Sequence, residues 1–272
     1  MESLPRRLAD HALERYARSR IAVKRLVARL RAGERAQASM FFDTFPRFYE
    51  TTQTNAAYGR LNLRYEAIFA QNADVFAGAR VLDIACHDGR WSLAALRTGA
   101  AAVIGVEARE DLVEAARQNL DLYAAGKRYD FRAGDIFEVL ADETFDVDVV
   151  LCLGFLYHTL RYNELMRRIR DLDPGYLIVD TAVQRKRGYF VHLRTEREQE
   201  ARSAVADRFS HKDMTIVGRP SVRALRLLVE TYGFELERLS DWDMLIRDNP
   251  ALEHVTDYAT GRRVTARCVA TG

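Results

Sequence analysis

The chain has 272 residues, 48% of them hydrophobic, and a formal net charge of +2. It is long enough for one sizeable core, and too balanced in charge to demand a polyanionic partner for the whole molecule. Its cysteines, Cys86, Cys152 and Cys268, form no CxxC pair, which argues against a disulfide framework or a thiolate zinc site and fits a reducing, cytoplasmic setting.

Charge is unevenly spread: residues 1–40 hold ten Arg or Lys against four acids. Over residues 7–34, Leu13, Ala17, Ile21, Val23, Val27 and Leu30 recur mostly three or four apart among basic residues, which predicts an amphipathic helix or helix pair. Its basic face is read either as simply solvated or as a contact for RNA or another polyanion. The aromatic stretch MFFDTFPRFYETTQTNAAYGRLNLRYEAIF (40–69) follows, ending in a helix from about Leu61. It is read as a lid over a ligand or as packing between extension and core. We therefore divide the chain into a helical N-terminal extension and lid, 1–72, and a main domain, 73–272.

Beyond Gly78, apolar runs such as ARVLDIA, AVIGVEA, DVDVVLCLG and GYLIVDT alternate with amphipathic segments such as DLVEAARQNLDLYAAG. Short apolar strands between amphipathic helices predict an α/β, Rossmann-like doubly wound, mostly parallel sheet covered on both faces. The longest apolar run, VDVVLCLGFLY (147–157), is too short to cross a bilayer, so no membrane partner is expected. Residues 182–219 break the alternation and are expected to form an insertion after the fifth strand, part helix and part loop, at the substrate side. In PSVRALRLLVETYGF (220–234), Pro220 is expected in a helix's first turn and Gly233 as its C-cap. Two terminal strands, about 235–240 and 262–270, finish the sheet.

VLDIACHDGRWSLAAL (81–96) reads as strand, tight turn and helix. A dinucleotide turn needs G-x-G-x-x-G for close approach to two phosphates, and here Ala85, His87 and Arg90 occupy those positions. NAD and FAD are thereby disfavoured. S-adenosylmethionine, which has no pyrophosphate, asks instead for an acidic strand end, a small residue, a flexible glycine and a second acid for the ribose. Asp83, Ala85, Gly89 and Glu107 meet these in order. Asp135 in AGDIF is placed to accept the adenine amino proton, with Ile136 against the ring.

On VLDIACHDGRWSLAALRTGAAAVIGVEA, GFLYH (154–158) and VGRPSVRALRLLVETYGF (217–234), the chain resembles the class I S-adenosylmethionine-dependent methyltransferases. More narrowly, it resembles the branch of the wobble-uridine tRNA carboxymethyltransferase and its small-molecule relatives. The resemblance implies a seven-stranded sheet with the last strand antiparallel, bound S-adenosylmethionine, and transfer to a nucleophile. Ala85 and His87 stand where that family usually has its first and middle glycines; His87 either tilts the loop or reaches the methionine moiety. The carboxymethylating members pair a lysine before the first strand with the cofactor's extra carboxylate. No lysine lies between residues 51 and 100 here; the nearest position by spacing holds Arg64, a candidate grip for the methionine carboxylate. Ordinary methyl transfer is therefore favoured.

GFLYH is expected beside the transferred methyl. Gly154 allows close backbone approach, Phe155 and Leu156 wall the site, and Tyr157 and His158 face the acceptor. His158, with an ordinary pKa of about 6.5, suits a general base for a hydroxyl, worth on the order of 10² to 10⁴-fold, or a positioning group for an amine. Tyr157 is read as an orienting hydroxyl, its pKa of about 10 keeping it protonated. Asp180 is expected to orient His158 or touch substrate, and His192 and His211 are further candidates for the acceptor. No ligand spacing supports a metal. The expected acceptor is a small molecule bearing a hydroxyl, such as a sugar or natural product, and less an amine. A tRNA or other RNA acceptor is the alternative, and a non-catalytic cofactor-binding module the third reading. The aromatic and basic extension is a candidate surface for a homodimer.

Overall fold

The structure is a computed structural model describing residues 40–198 and 207–272. The basic segment over 7–34 lies outside the described residues. In chain order, α1 (Tyr58–Ile68) precedes β1 (Arg80–Ile84), α2 (Arg90–Thr98), β2 (Ala102–Glu107), α3 (Glu110–Tyr123), β3 (Arg128–Ala133) and α4 (Ile136–Asp142). Next come β4 (Val149–Leu153), α5 (Tyr162–Asp171), β5 (Tyr176–Ala182), β6 (Val191–Arg197) and β7 (Met214–Pro220). The chain closes with α6 (Val222–Thr231), β8 (Phe234–Leu239), α7 (Trp242–Asp248) and β9 (Arg263–Ala270).

One seven-stranded sheet has the order β3-β2-β1-β4-β5-β9-β8. β1 to β5 are parallel, and β9 runs antiparallel between β5 and β8. This is the doubly wound, mostly parallel sheet expected from the alternating runs. The apolar strands carry it because both faces are covered. Val81, Val149, Leu151 and Ile178 point into one core, while Leu82, Ile84, Val150 and Cys152 point into the other. The winding reverses between β1 and β4, where open α/β sheets leave a crevice beyond the strands' carboxyl ends.

The aromatic side chains of the stretch 40–69 pack into the core. Phe42, Phe48 and Phe69 are fully buried, and the rings of Phe42 and Phe69 lie 5.7 and 5.9 Å from that of Trp91 on α2. Only polar residues of this stretch reach the crevice, as described below. The described parts of the insertion are not helical: β6 and β7 form a separate two-stranded antiparallel ribbon pairing Val191 with Pro220 and Arg197 with Met214. Pro220 closes β7 instead of opening α6, whose N-cap is Ser221, the side chain accepting from Ala224 N–H. Gly233 follows α6 with φ of 78°, as a helix-terminating glycine should. No helix among the described residues is long and apolar enough to cross a membrane.

Candidate functional site

The turn after β1 keeps a glycine-like path without the glycines. Ala85 and His87 have φ of 54° and 55°, and Gly89 of 78°. Holding two non-glycine residues left-handed costs roughly 1–2 kcal/mol each. Gly89 is required twice over, since a Cβ there would stand 2.9 Å from Leu120 Cδ1 and 3.1 Å from Ala116 Cβ on α3. The turn is braced from both sides. His87 N–H donates to Glu107 Oε2 at 3.0 Å, and Arg109 N–H to Oε1 at 3.1 Å, so the carboxylate that ends β2 is held in one orientation. Asp88, fully buried, accepts from Thr51 and Thr52 hydroxyls at 2.9 and 2.7 Å and from Arg90 Nη1 at 2.6 Å, tying the N-terminal stretch to the turn. Burial would raise that carboxyl, but Arg90 and the hydrogen bonds hold it well below the carboxylate range.

Beyond the strand ends lies a cavity of about 280 Å³. Of the residues singled out from sequence, it gathers Ala85, His87, Glu107, Asp135, Ile136 and Arg64. Gly154, Tyr157 and His158 line it too. Asp135 caps α4, its Oδ1 accepting from Phe137 N–H at 2.8 Å, and burial raises its carboxyl. Gly154 has φ of 94°, and a Cβ there would meet Arg263 Nη2 at 3.3 Å. Neither His192 nor His211 lines the cavity; both are exposed.

Three expectations need correction. Asp83 lies behind the wall, fully buried, one oxygen accepting from Ser92 at 2.7 Å, and desolvation pushes its carboxyl up to about 7. It supports the turn from below and does not line the cavity. Leu156 is likewise buried behind the wall; of the two residues expected to wall the site, Phe155 alone reaches the space. Asp180 neither orients His158 nor touches the cavity. Wholly buried, it accepts from Arg263 Nε at 2.7 Å, Arg64 Nη2 at 3.1 Å, Tyr258 hydroxyl at 2.8 Å and Thr265 hydroxyl at 2.7 Å. Burial would raise it, but the two guanidinium charges hold it well below its ordinary range. Its work is to aim Arg64 and Arg263 at the cavity.

The partner of His158 is Glu196 of β6, with Oε2 2.6 Å from Nδ1. Burial alone would lower the imidazole's pKa; Glu196 and Tyr157 together outweigh it and raise it. Arg263 of β9, which sequence reasoning did not single out, sits 5.1 Å from the Tyr157 ring centroid. Burial would raise the Tyr157 phenol, yet Arg263, then His158, pull it down to about 7.

Residues 81–173 match a methyltransferase domain family. A ubiquinone biosynthesis O-methyltransferase of Xanthomonas axonopodis pv. citri (strain 306) is 32% identical over 100 residues, covering 36% of this chain and 41% of that protein. The 23S rRNA (uracil(1939)-C(5))-methyltransferase RlmD of Neisseria lactamica (strain 020-06) is 38% identical over 65 residues, 24% of this chain and 14% of that one. The chain thus spans less than half the length of these curated relatives. Magnesium protoporphyrin IX methyltransferase (ChlM) of Synechocystis PCC 6803, solved with bound SAH, superimposes with a TM-score of 0.53 at 17% identity, over 85% of this chain and 94% of that one. The chain has the class I S-adenosylmethionine-dependent methyltransferase fold.

S-adenosylmethionine is the cofactor of this fold, and ChlM has also been solved with it bound. The residues around the cavity fit it chemically. Glu107 offers a fixed, two-oxygen acceptor suited to a ribose diol. Gly134, Ile136 and Phe137 make a slot with Asp135 at its edge, suited to an adenine. At the other end, Arg64 Nε, Arg90 Nε and His87 Nε2 are buried without a protein hydrogen-bond partner, a donor-rich corner suited to the methionine carboxylate.

Proposed function

We propose that the chain is an S-adenosylmethionine-dependent methyltransferase acting on a hydroxyl of a small molecule, a sugar or natural product before an amine. The observation that carries this is a single cavity with two chemistries. Glu107, Asp135 and Ile136 line it for a nucleoside, and Tyr157 and His158 line it for an acceptor. When bound, the cofactor supplies a methyl group on a sulfonium, whose carbon–sulfur bond breaks with the electron pair going to sulfur.

In this reading Arg64 and its neighbours hold the methionine end, and Glu107 holds the ribose. Gly154 leaves room at the reacting end, where a Cβ would press on Arg263 Nη2 at 3.3 Å. His158 takes the acceptor's proton as its oxygen becomes nucleophilic, and the imidazolium it becomes is favoured by Glu196 and Tyr157 against burial. The first test is calorimetric titration with S-adenosylmethionine, with NAD as control, followed by a hydroxyl- and amine-bearing acceptor panel. Micromolar saturation by S-adenosylmethionine alone is expected; absence of both heat and thermal stabilisation would sink the reading. His158→Ala should abolish turnover and spare cofactor affinity, whereas a purely cofactor-binding module would be indifferent to it.

A second reading, an RNA-modifying methyl- or carboxymethyltransferase, is favoured by the basic 1–40 segment and by the guanidinium groups of Arg64 and Arg263 at the cavity. Salt-sensitive retention of tRNA would support it, because each phosphate contact steepens the salt dependence.

A further inference from the structure

The β6–β7 ribbon is absent from the sheet, yet it is docked in a fixed register. Gly218 of β7 seats it: a Cβ there would lie 2.6 Å from both Leu160 Cδ2 and the Tyr162 hydroxyl. That hydroxyl donates to Gly218 carbonyl oxygen at 2.6 Å. Val217, on the neighbouring position, is buried, and β7 packs on the turn Leu156–His158. Alternation then puts His192, Arg194 and Glu196 of β6 on one face, opposite Arg219, Val217 and Thr215. This face meets the turn, with Arg219 Cζ 5.9 Å from the Tyr157 ring centroid and Glu196 on His158. A one-residue slip would turn Glu196 to the opposite face.

We propose that Glu196 is the positioning residue of His158: the ribbon delivers a carboxylate that fixes the imidazole's tautomer and orientation, making the ribbon part of the catalytic apparatus. The proposal rests on the methyl-transfer reading above. With Nδ1–H donated to Glu196, Nε2 is the ring nitrogen that carries the free lone pair. The acceptor's O–H proton moves to Nε2; the imidazolium so formed is stabilised by Glu196 and then releases its proton to water. The other groups facing the imidazole environment are Tyr157 on its own turn, Arg263 from β9 and Arg219 from β7. Glu196 is the carboxylate among these, and its bond opposes the burial that would otherwise favour neutral imidazole. The 2.6 Å separation is that of a charge-assisted bond between side chains only 16% exposed, where solvent screening is weak.

The test uses the full chain with Glu196→Gln, which keeps the shape, and Glu196→Asp, which keeps the charge. NMR titration of the His158 ring reads the pairing without any acceptor. In wild type its midpoint should lie above that of an ordinary histidine. It should fall by about one unit or more in E196Q and recover in part in E196D. On an accepted hydroxyl substrate, the acidic limb of the kcat/KM profile should move to lower pH with it. Turnover at pH 7 should drop about 10- to 100-fold, while S-adenosylmethionine affinity stays within about twofold. An unmoved His158 midpoint in E196Q, or an unmoved pH profile, overturns the proposal. A shifted midpoint in a protein that binds no S-adenosylmethionine would instead sink the methyl-transfer reading, and the catalytic role of Glu196 with it.

Discussion

Replacing Asp180 with asparagine tests the buried frame that aims the cavity's arginines. The carboxylate has no exposure and takes four donors from three elements: Arg64 from α1, Tyr258 from the turn Thr256–Ala259, and Arg263 and Thr265 from β9. The amide keeps the shape and one acceptor oxygen but withdraws the charge, leaving two buried guanidinium groups without their counter-ion. Breaking a buried pair from one side costs roughly 3–5 kcal/mol. For a domain of this size, where 1 kcal/mol moves the midpoint about 2–4 °C, the melting temperature should fall roughly 6–20 °C. Urea denaturation across pH adds a second signature. Asp180 is held below its ordinary range, so its contribution is present above about pH 3.9, the unfolded value, and is lost as pH falls towards the folded one. The gap between wild type and D180N should therefore be full at pH 7 and shrink only below about pH 4. A loss under about 1 kcal/mol at pH 7, or a gap that closes already at pH 6, would refute the claim that this carboxylate anchors the arginines.

Glu107→Gln removes the charge that the two backbone N–H groups orient. Calorimetry should show S-adenosylmethionine binding weakened by about 1.5–3 kcal/mol, or 10- to 150-fold; an unchanged affinity would place the ribose elsewhere. Gly89→Ala meets both a left-handed φ of 78° and the side chains of Leu120 and Ala116, so urea denaturation should register a loss of about 1–3 kcal/mol. Asp83→Asn should behave in the opposite sense. With its folded pKa raised to about 7, the wild-type carboxyl loses stability as pH climbs from the unfolded value of about 3.9 to 7. The variant should accordingly be the more stable protein at pH 8 and lose that advantage towards pH 4.

The cavity wall formed by Ala85, His87, Glu107 and Asp135 was legible because local pattern carries it. Ala85, His87 and Glu107 lie on or beside strands whose apolar runs mark their ends, and Asp135 opens α4 as a helix cap. The wall around Tyr157, His158 and Arg263 was not, because its groups converge from distant parts of the chain. Arg263 is 83 residues from Asp180 and 106 from Tyr157, and no local pattern distinguishes it from other arginines. Asp180 looked like a strand-end acid free to meet substrate, and only the placement of β9 beside β5 shows that it is consumed by Arg263 and Thr265. For the ribbon, a signal was present: Val191, Leu193 and Thr195 alternate with His192, Arg194 and Glu196, the period of a strand. The charged flanks QRKRG and EREQEAR masked it, and with it the carboxylate that reaches His158.

β9 has a consequence for synthesis. The ribosome releases a chain from its N-terminus at about 5–20 residues per second. β1 to β5, the nucleoside wall and Asp180 therefore emerge well before Arg263 and Thr265. Until β9 slides between β5 and β8, β5 is an open edge and Asp180 lacks its main counter-charge, Arg263. A prematurely terminated chain thus exposes a sheet edge instead of a finished pocket. Translation through β9 is in this way a condition for completing the cavity wall to which Arg263 belongs.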